Sequence, residues 1–209
     1  MRHVQIMDSP KLARFTGISG DALLRTPFGA RRADNIRPGD LVVTRGGGLR
    51  PVRLVWTRSI GEAEMKADPD LAPVRLAPRA LGPMMPQKPL TLAPDHKVLV
   101  PGWLLEDGEE SGGLIEARGL AGSSDAIWLD RDAAGSIFYN FVFDRHEVVM
   151  VSGLPVETFH PSAATVANVD EGTKVDLMRR FPALRREAEA FPQAALPVLP
   201  PAAYLQAMR

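Results

Sequence analysis

The residue best placed for chemistry in this chain is a histidine at a predicted turn between two apolar strands. His96 directly follows Ala93-Pro94-Asp95, with Leu90–Leu92 before this corner and Lys97–Val100 after it. The alternation of apolar residues predicts a half-buried β-ribbon, in which Pro94 fixes the turn. An imidazole held at such a bend can act as an acid, a base or a hydrogen-bond donor near neutral pH. The simpler interpretation is a histidine that only ends a strand.

A nucleophile to work with this histidine is harder to find. The sequence has no cysteine, which excludes disulfide bonds, thiolate metal ligands and a thiol nucleophile together. Ser19 is a candidate nucleophile, and Thr16 is a weaker one. A serine needs a base in hydrogen-bond contact before it attacks. A serine beside a glycine, here Gly20, is typical of a turn, and this is the simpler interpretation of Ser19.

Two other sites can be assembled from residue types alone. Ser19, His96 and Asp144 would make a hydrolase triad, although the segment around Ser19 is not a strained strand-to-helix elbow. His146, His160, His96 and Asp144 offer enough ligand atoms for a metal ion. Scattered histidines without cysteines are more often structural, so we predict no metal and no cofactor.

Short strands and turns are the elements that must position these residues. Proline (19) and glycine (18) are frequent, and turn sequences stand at Thr26-Pro27-Phe28-Gly29 and Arg37-Pro38-Gly39-Asp40. Residues 137–143 form the strongest β pattern, whereas residues 60–72 are predicted to be a surface loop and residues 106–112 an exposed acidic turn. Strands with turns every few residues predict an all-β fold.

A helical tail follows the β body. Residues 170–191 have helical character, which Pro182 should interrupt near Phe181. The stripe of Val175, Met178 and Phe181 is predicted to pack against the β body. The predicted organisation is a lead-in (1–16), a β domain (17–161), and a helical and proline-rich tail (162–209).

Charge and hydropathy exclude several classes of partner. Twenty-five basic and 25 acidic residues give a formal net charge of zero, which makes no case for nucleic acid or an anionic membrane. The chain has neither an apolar run of membrane-spanning length nor the apolar block of a signal peptide at its start. We expect a cytoplasmic protein, while export without a signal would leave the same sequence. A protein partner and the oligomeric state stay open.

Four blocks, in order, carry a family resemblance over residues 15–161. They are Asp21-Ala22-Leu23-Leu24-Arg25-Thr26-Pro27-Phe28-Gly29, Ile36-Arg37-Pro38-Gly39-Asp40-Leu41-Val42-Val43-Thr44, Leu92-Ala93-Pro94-Asp95-His96-Lys97-Val98-Leu99-Val100, and the long block at residues 143–161. The order resembles the Hint (Hedgehog/intein) domain family, in particular its bacterial Hint-like subfamily. The resemblance implies a pseudo-two-fold, horseshoe-shaped β fold and self-directed peptide chemistry. In that chemistry a Cys or Ser at the first position attacks the preceding carbonyl, and the mid-domain His, helped by a Thr or Ser three residues earlier, donates to the scissile amide.

The sequence departs from this family where the attacking atom should be. Counted back from Thr26-Pro27, the nucleophile position is Gly17, and the helper position is Ala93. His96 matches the family's catalytic histidine, and Asp144 and His146 match polar positions of the last block. The place of the terminal His-Asn reads Pro155-Val156-Glu157-Thr158, so ligation as in an intein has no cyclising residue.

The resemblance therefore predicts a Hint-like domain that is degenerate for autoproteolysis, and it keeps two alternatives. One is active processing through Ser19 and an ester intermediate, and the other is a Ser/His/Asp hydrolase that acts in trans. Inherited architecture predicts that His96 lies close to the backbone of residues 17–19. On a scaffold that has kept its geometry, Gly17→Cys with Ala93→Thr should restore thioester chemistry.

Overall fold

Fourteen short strands form the framework of the described chain, which in this computed structural model comprises residues 15–46, 48–105, 111–187, 190–192 and 196–207. In chain order they are β1 (Ile18–Ser19), β2 (Leu23–Thr26), β3 (Gly29–Arg32), β4 (Leu41–Thr44), β5 (Gly48–Pro51), β6 (Leu54–Ser59), β7 (Val74–Leu76), β8 (Leu90–Leu92), β9 (Lys97–Val100), β10 (Gly113–Glu116), β11 (Ile127–Leu129), β12 (Ile137–Val142), β13 (Val148–Val151) and β14 (Leu154–Glu157). The helices are α1 (Glu62–Ala67), α2 (Ala117–Leu120), α3 (Ala163–Ala167), α4 (Glu171–Arg180) and α5 (Ala202–Ala207). The predicted all-β fold with a helical tail is confirmed.

The strands form two antiparallel sheets. The first has the order β11-β7-β8-β1-β12-β6, and the second has the order β10-β9-β14-β13-β2-β3, with β4 pairing to both β13 and β5. The strong β pattern at residues 137–143 forms β12, which pairs with β6 along its full length, from Ile137↔Ser59 to Val142↔Leu54. A long ladder and apolar side chains at Phe138, Phe141 and Val142 place this strand at the centre of the packing.

The corner that contains His96 joins the two sheets. The strand before it, β8, pairs with β7 and β1 in the first sheet, whereas β9 pairs with β10 and β14 in the second. The prediction of a half-buried β-ribbon is therefore wrong, because both strands are almost fully buried and neither pairs with the other. His96 is held at the crossing, where its N–H donates to the Ala93 carbonyl across the turn.

Strand β1 determines what lies next to this corner. It is only two residues long, and it lies between β8 (Ile18↔Leu92) and β12 (Ile18↔Tyr139). The residues immediately before β1 must therefore run between the end of β8 and the middle of β12. This topology brings the start of the domain to His96, about eighty positions away in the sequence.

The prediction of a loop at residues 60–72 is wrong, because the structure places α1 and a 3₁₀ turn there. The sequence of α1, Glu-Ala-Glu-Met-Lys-Ala, consists of strong helix formers, and Lys66 pairs with Glu62 one turn away. Met65 packs from this helix onto a small cluster that includes Phe15 and Phe138. A second short helix, α2, directly follows β10.

The tail packs against the body largely as predicted, with one correction. Helix α4 ends at Arg180, and a 3₁₀ turn begins at Pro182, so the predicted interruption is confirmed. The predicted stripe is wrong at Val175, which is exposed, because the face toward Trp56 and Phe159 is formed by Leu177. The final segment runs along the outer edge of β10, with hydrogen bonds between Leu114 and residues 197 and 199.

Residues 106–110 of the predicted acidic turn lie outside the described residues. Within the described part of the chain, no helix has both the length and the hydropathy to cross a membrane.

Candidate functional site

The imidazole of His96 contacts the first residue of the β domain. The backbone N–H of Gly17 donates a hydrogen bond to His96 Nδ1 over 3.2 Å, and both residues are buried. The Gly17 carbonyl in turn accepts from the Ala93 N–H at 2.9 Å. His96 is thus close to the backbone of residues 17–19, as inherited architecture predicts. Ala93, at the helper position, offers a backbone donor and no hydroxyl.

The peptide bond before Gly17 is held on its other side by an asparagine. Asn140, in the middle of β12, donates from Nδ2 to the Thr16 carbonyl at 3.0 Å. The Thr16 hydroxyl donates to Oδ1 of the same carboxamide at 2.9 Å. The Thr16–Gly17 amide is therefore polarised at its oxygen by Asn140, while its N–H points at His96. This is the arrangement that acyl transfer needs around a scissile bond, since a donor to the carbonyl stabilises negative charge there.

One residue further upstream, Phe15 is fixed as firmly. Its N–H donates to Asp95 Oδ2 at 2.6 Å, and its carbonyl accepts from the Asp95 N–H at 3.0 Å. The ring is fully buried against Phe138, edge to face at 5.0 Å, with the Arg58 guanidinium 4.8 Å above it. Asp95 is itself buried and forms an ion pair with Arg118. Residues 15 and 16, on the lead-in side of the predicted boundary, thus belong to the packed core.

The conformation of Gly17 leaves no place for a side chain. Its φ is +132°, a value that residues with a Cβ rarely adopt. A Cβ built on this backbone would lie 2.8 Å from Phe138 Cβ and 3.0 Å from Asn140 Nδ2. The volume that an attacking side chain would occupy is therefore filled by β12. Both the backbone conformation and the packing around position 17 therefore require a glycine, and a glycine has no nucleophilic side chain.

Burial sets the charge state of His96. It lowers the pKa of His96 to about 4, since the imidazolium loses its hydration, and Lys97 and His146 add to the effect while Glu157 opposes it. At neutral pH the ring is uncharged. Nδ1 accepts from an amide N–H, so the ring proton resides on Nε2, which makes no hydrogen bond to the described residues. The ring thus accepts a hydrogen bond from the amide and does not protonate its nitrogen.

A second buried polar centre lies beside the first. Although burial alone would raise it, Lys97 and His146 lower the pKa of Glu157 to about 2. Lys97 Nζ lies 3.0 Å from Glu157 Oε1, and His146 Nε2 lies 3.3 Å from Oε2. The His160 ring packs edge to face on His146 at 5.4 Å, and its Nε2 donates to the Pro192 carbonyl. His146 is therefore paired with a buried carboxylate, and in the described part of the chain it makes no hydrogen bond to the Thr16–Gly17 peptide bond.

Two other predicted site residues, Ser19 and Asp144, make no hydrogen bond to the His96 ring in the described part of the chain. Ser19 lies in β1, and its buried Oγ has no hydrogen-bond partner among the described residues. Asp144 is 61% exposed and pairs with Arg53 at 2.7 Å. No hydrogen bond or ion pair of the described residues joins Ser19, His96 and Asp144. The described residues also contain no cluster of three potential metal ligands.

Sequence reasoning missed three residues of the site, namely Asp95, Asn140 and Glu157. Asn140 and Glu157 do carry a signal, because Asn140 lies inside β12 and Glu157 ends β14, and the other residues beside them are mostly apolar. Polar residues in such places are normally buried only when they are hydrogen-bonded. Asp95 gives no such signal, because it lies in a turn, where aspartate is common since its side chain hydrogen-bonds to the neighbouring backbone.

Comparison with known proteins assigns the chain to a family. The family described as the Hint domain matches residues 17–163, and no curated protein matches. Solved structures with a similar fold include the bacterial intein-like domain from Clostridium thermocellum (16% identity, 69% of this chain and 98% of that one, TM-score 0.46). Others are the gp41-1 intein (15%, 70% and 99%, 0.42) and the MchDnaB-1 intein (11%, 68% and 99%, 0.43). Because the family match spans well over half of the chain and begins at the residue that His96 contacts, this protein belongs to the Hint domain family.

Proposed function

We propose that this Hint domain does not cleave itself at its first residue and persists as a folded module. An acyl shift needs a side-chain sulfur or oxygen on Gly17 to attack the Thr16 carbonyl carbon. Gly17 has neither, and the observation that carries the proposal is the space around it. With φ at +132° and Phe138 Cβ 2.8 Å from an ideal Cβ, the site is adapted to the absence of a nucleophile.

The proton-handling residues support a loss of activity as well. His96 keeps the place beside the scissile amide, but its pKa of about 4 leaves it uncharged and accepting at neutral pH. To help the amine depart, Nδ1 would have to carry a proton. Ala93 adds no hydroxyl to this side of the bond. Without an attacking atom, and with a neutral imidazole, the Thr16–Gly17 bond is bound and stable.

Active processing through Ser19 is the second candidate. Its support is the Ser19 hydroxyl, which is buried and has no hydrogen-bond partner in the described part of the chain. Here Oγ would attack the Ile18 carbonyl carbon, the acyl group would move to oxygen, and the Ser19 nitrogen would leave as an amine. A base in contact with Oγ is the missing component. A trans-acting hydrolase has less support, since Asp144 is exposed and paired with Arg53.

Intact mass separates these functions. The full chain is purified and incubated for days with and without hydroxylamine, which cleaves thioesters and esters and leaves a hydroxamate. We expect the full mass in both samples. A fragment that begins at Gly17 would overturn the proposal, and a fragment that begins at Ser19, absent from Ser19→Ala, would establish the second candidate. Thr16→Ala serves as the matched control for loss of a hydroxyl in the same segment.

A further inference from the structure

We propose that the cleft between the His96 corner and β12 is a sequence-reading site for a peptide segment of the type aromatic–hydroxyl–glycine. The chain supplies this segment itself, as Phe15, Thr16 and Gly17. Asn140 is the residue that determines specificity at the middle position. The inference depends on the contacts of the cleft, and it holds whether or not the bond is ever cleaved.

The first reading position accepts an aromatic ring. Phe15 is completely buried, and its ring has an edge-to-face contact with Phe138 and a guanidinium above its face. Ring pairs and cation–π contacts of this kind favour an aromatic side chain over an aliphatic one of similar size. The backbone of the same residue is bound on both sides by Asp95. The pocket therefore selects the ring while the aspartate aligns the chain.

The second position distinguishes a hydroxyl from a methyl group. The Asn140 carboxamide uses its oxygen for the Thr16 hydroxyl and its Nδ2 for the Thr16 carbonyl. Asn140 is 1% exposed, so water cannot replace a lost partner. A segment with valine at this position would leave Oδ1 buried and unpaired, and such a group costs more than the hydrogen bond contributes. Serine would satisfy the same contact.

The third position accepts only glycine. A Cβ there would meet Phe138 and Asn140 at 3.0 Å or less, and the backbone has a positive φ. The N–H and the carbonyl of Gly17 are both used, by His96 and by Ala93. Three consecutive residues are thus each read by a different criterion: a ring, a hydroxyl and the absence of a side chain.

Hydrogen exchange of the full-length protein, measured by NMR, tests this inference. The Gly17 amide reports opening of the cleft, and the Arg53 amide, which donates to Val142 in the first sheet, is the reference. We expect Thr16→Val to speed exchange at Gly17 by about tenfold and Thr16→Ser by less than about twofold, with the reference amide unchanged in both. In the Asn140→Ala background, Thr16→Val should add less than about twofold, because the reading partner is gone.

Every other outcome overturns the proposal. Equal effects of Thr16→Val and Thr16→Ser would mean that the hydroxyl is not read. An equal rise at Gly17 and at the Arg53 amide would mean that Thr16 supports the fold as a whole. If Thr16→Val speeds exchange at Gly17 as much in the Asn140→Ala background as in the parent, then a group other than Asn140 recognises the Thr16 hydroxyl. None of these results depends on cleavage, so the proposal fails independently of the proposed function.

Discussion

Replacing Gly17 by cysteine tests whether the nucleophile was simply lost or whether the backbone has adapted to its loss. A non-glycine residue held at φ +132° costs about 1–3 kcal/mol in backbone strain. The new Cβ would also meet Phe138 Cβ at 2.8 Å and Asn140 Nδ2 at 3.0 Å. Overpacking of a well-filled core typically costs a further 1–3 kcal/mol. We therefore expect Gly17→Cys to lower the free energy of unfolding by about 2–6 kcal/mol, a large part of the stability of an ordinary domain.

Urea unfolding with two matched cysteine variants separates strain from crowding. Gly29 has φ +105° and open space around its Cβ position, so Gly29→Cys carries backbone strain alone. Gly46 has open space and no positive φ, so Gly46→Cys should change the free energy of unfolding by less than about 0.5 kcal/mol. The expected order of loss is Gly17→Cys, then Gly29→Cys, then Gly46→Cys.

The Gly17→Cys substitution, alone or combined with Ala93→Thr, also gives a chemical result. If the backbone had kept the geometry of an active site, Gly17→Cys with Ala93→Thr would restore thiol-dependent cleavage. We expect no cleavage by dithiothreitol, because the cysteine cannot take the Gly17 conformation without displacing β12. A Gly17→Cys protein as stable as the parent, or one that releases residues 1–16 with thiol, would refute the reasoning.

Three further outcomes follow from the buried groups and the tail. Between pH 6.5, the ordinary pKa of histidine, and pH 4, about the pKa of folded His96, the residue takes up a proton only on unfolding. The free energy of unfolding should therefore fall by roughly 3 kcal/mol as the pH drops through this range, and it should fall less in His96→Gln. Glu157→Gln leaves Lys97 buried without its counter-charge and should cost about 3–5 kcal/mol in urea unfolding, whereas combining it with Lys97→Met should cost less than the sum. Leu177→Ala should destabilise the protein by about 2–5 kcal/mol and Val175→Ala by less than about 0.5, since only the first is buried, and equal effects would contradict the observed packing of α4.

The sequence predicts much of the fold because most of the strands and turns are indicated by patterns of a few neighbouring residues. The alternation at residues 137–143 and the Pro-Gly turn before β4 are short-range patterns, and the structure contains both. The helix at residues 62–67 was missed because six residues are too few to show a helical repeat of apolar side chains. Met65 is the one residue of this helix that is buried. Which face of helix α4 is buried was unpredictable for a similar reason. Val175 and Leu177 are both apolar, and only the position of Trp56 and Phe159 in the fold determines that Leu177 is the buried one.

The site was less predictable because its contacts join distant parts of the chain. The closeness of His96 to Gly17 came from family resemblance and not from any local pattern. Asn140 contacts Thr16 across 124 positions, and Glu157 contacts Lys97 across 60. No pattern within a strand predicts which buried partner a polar residue will find. The positive φ of Gly17 was equally invisible, since a glycine in sequence does not state why it is required.

Fusing a folded protein upstream of Met1 gives the most direct test of the central claim, that the Thr16–Gly17 bond is held in the cleft and is not attacked. The fusion is incubated with hydroxylamine and with dithiothreitol, and intact mass is recorded over days. The account predicts one species of full mass under every condition, with His96→Ala giving the same result. Release of the upstream protein with a new N-terminus at Gly17 would contradict it.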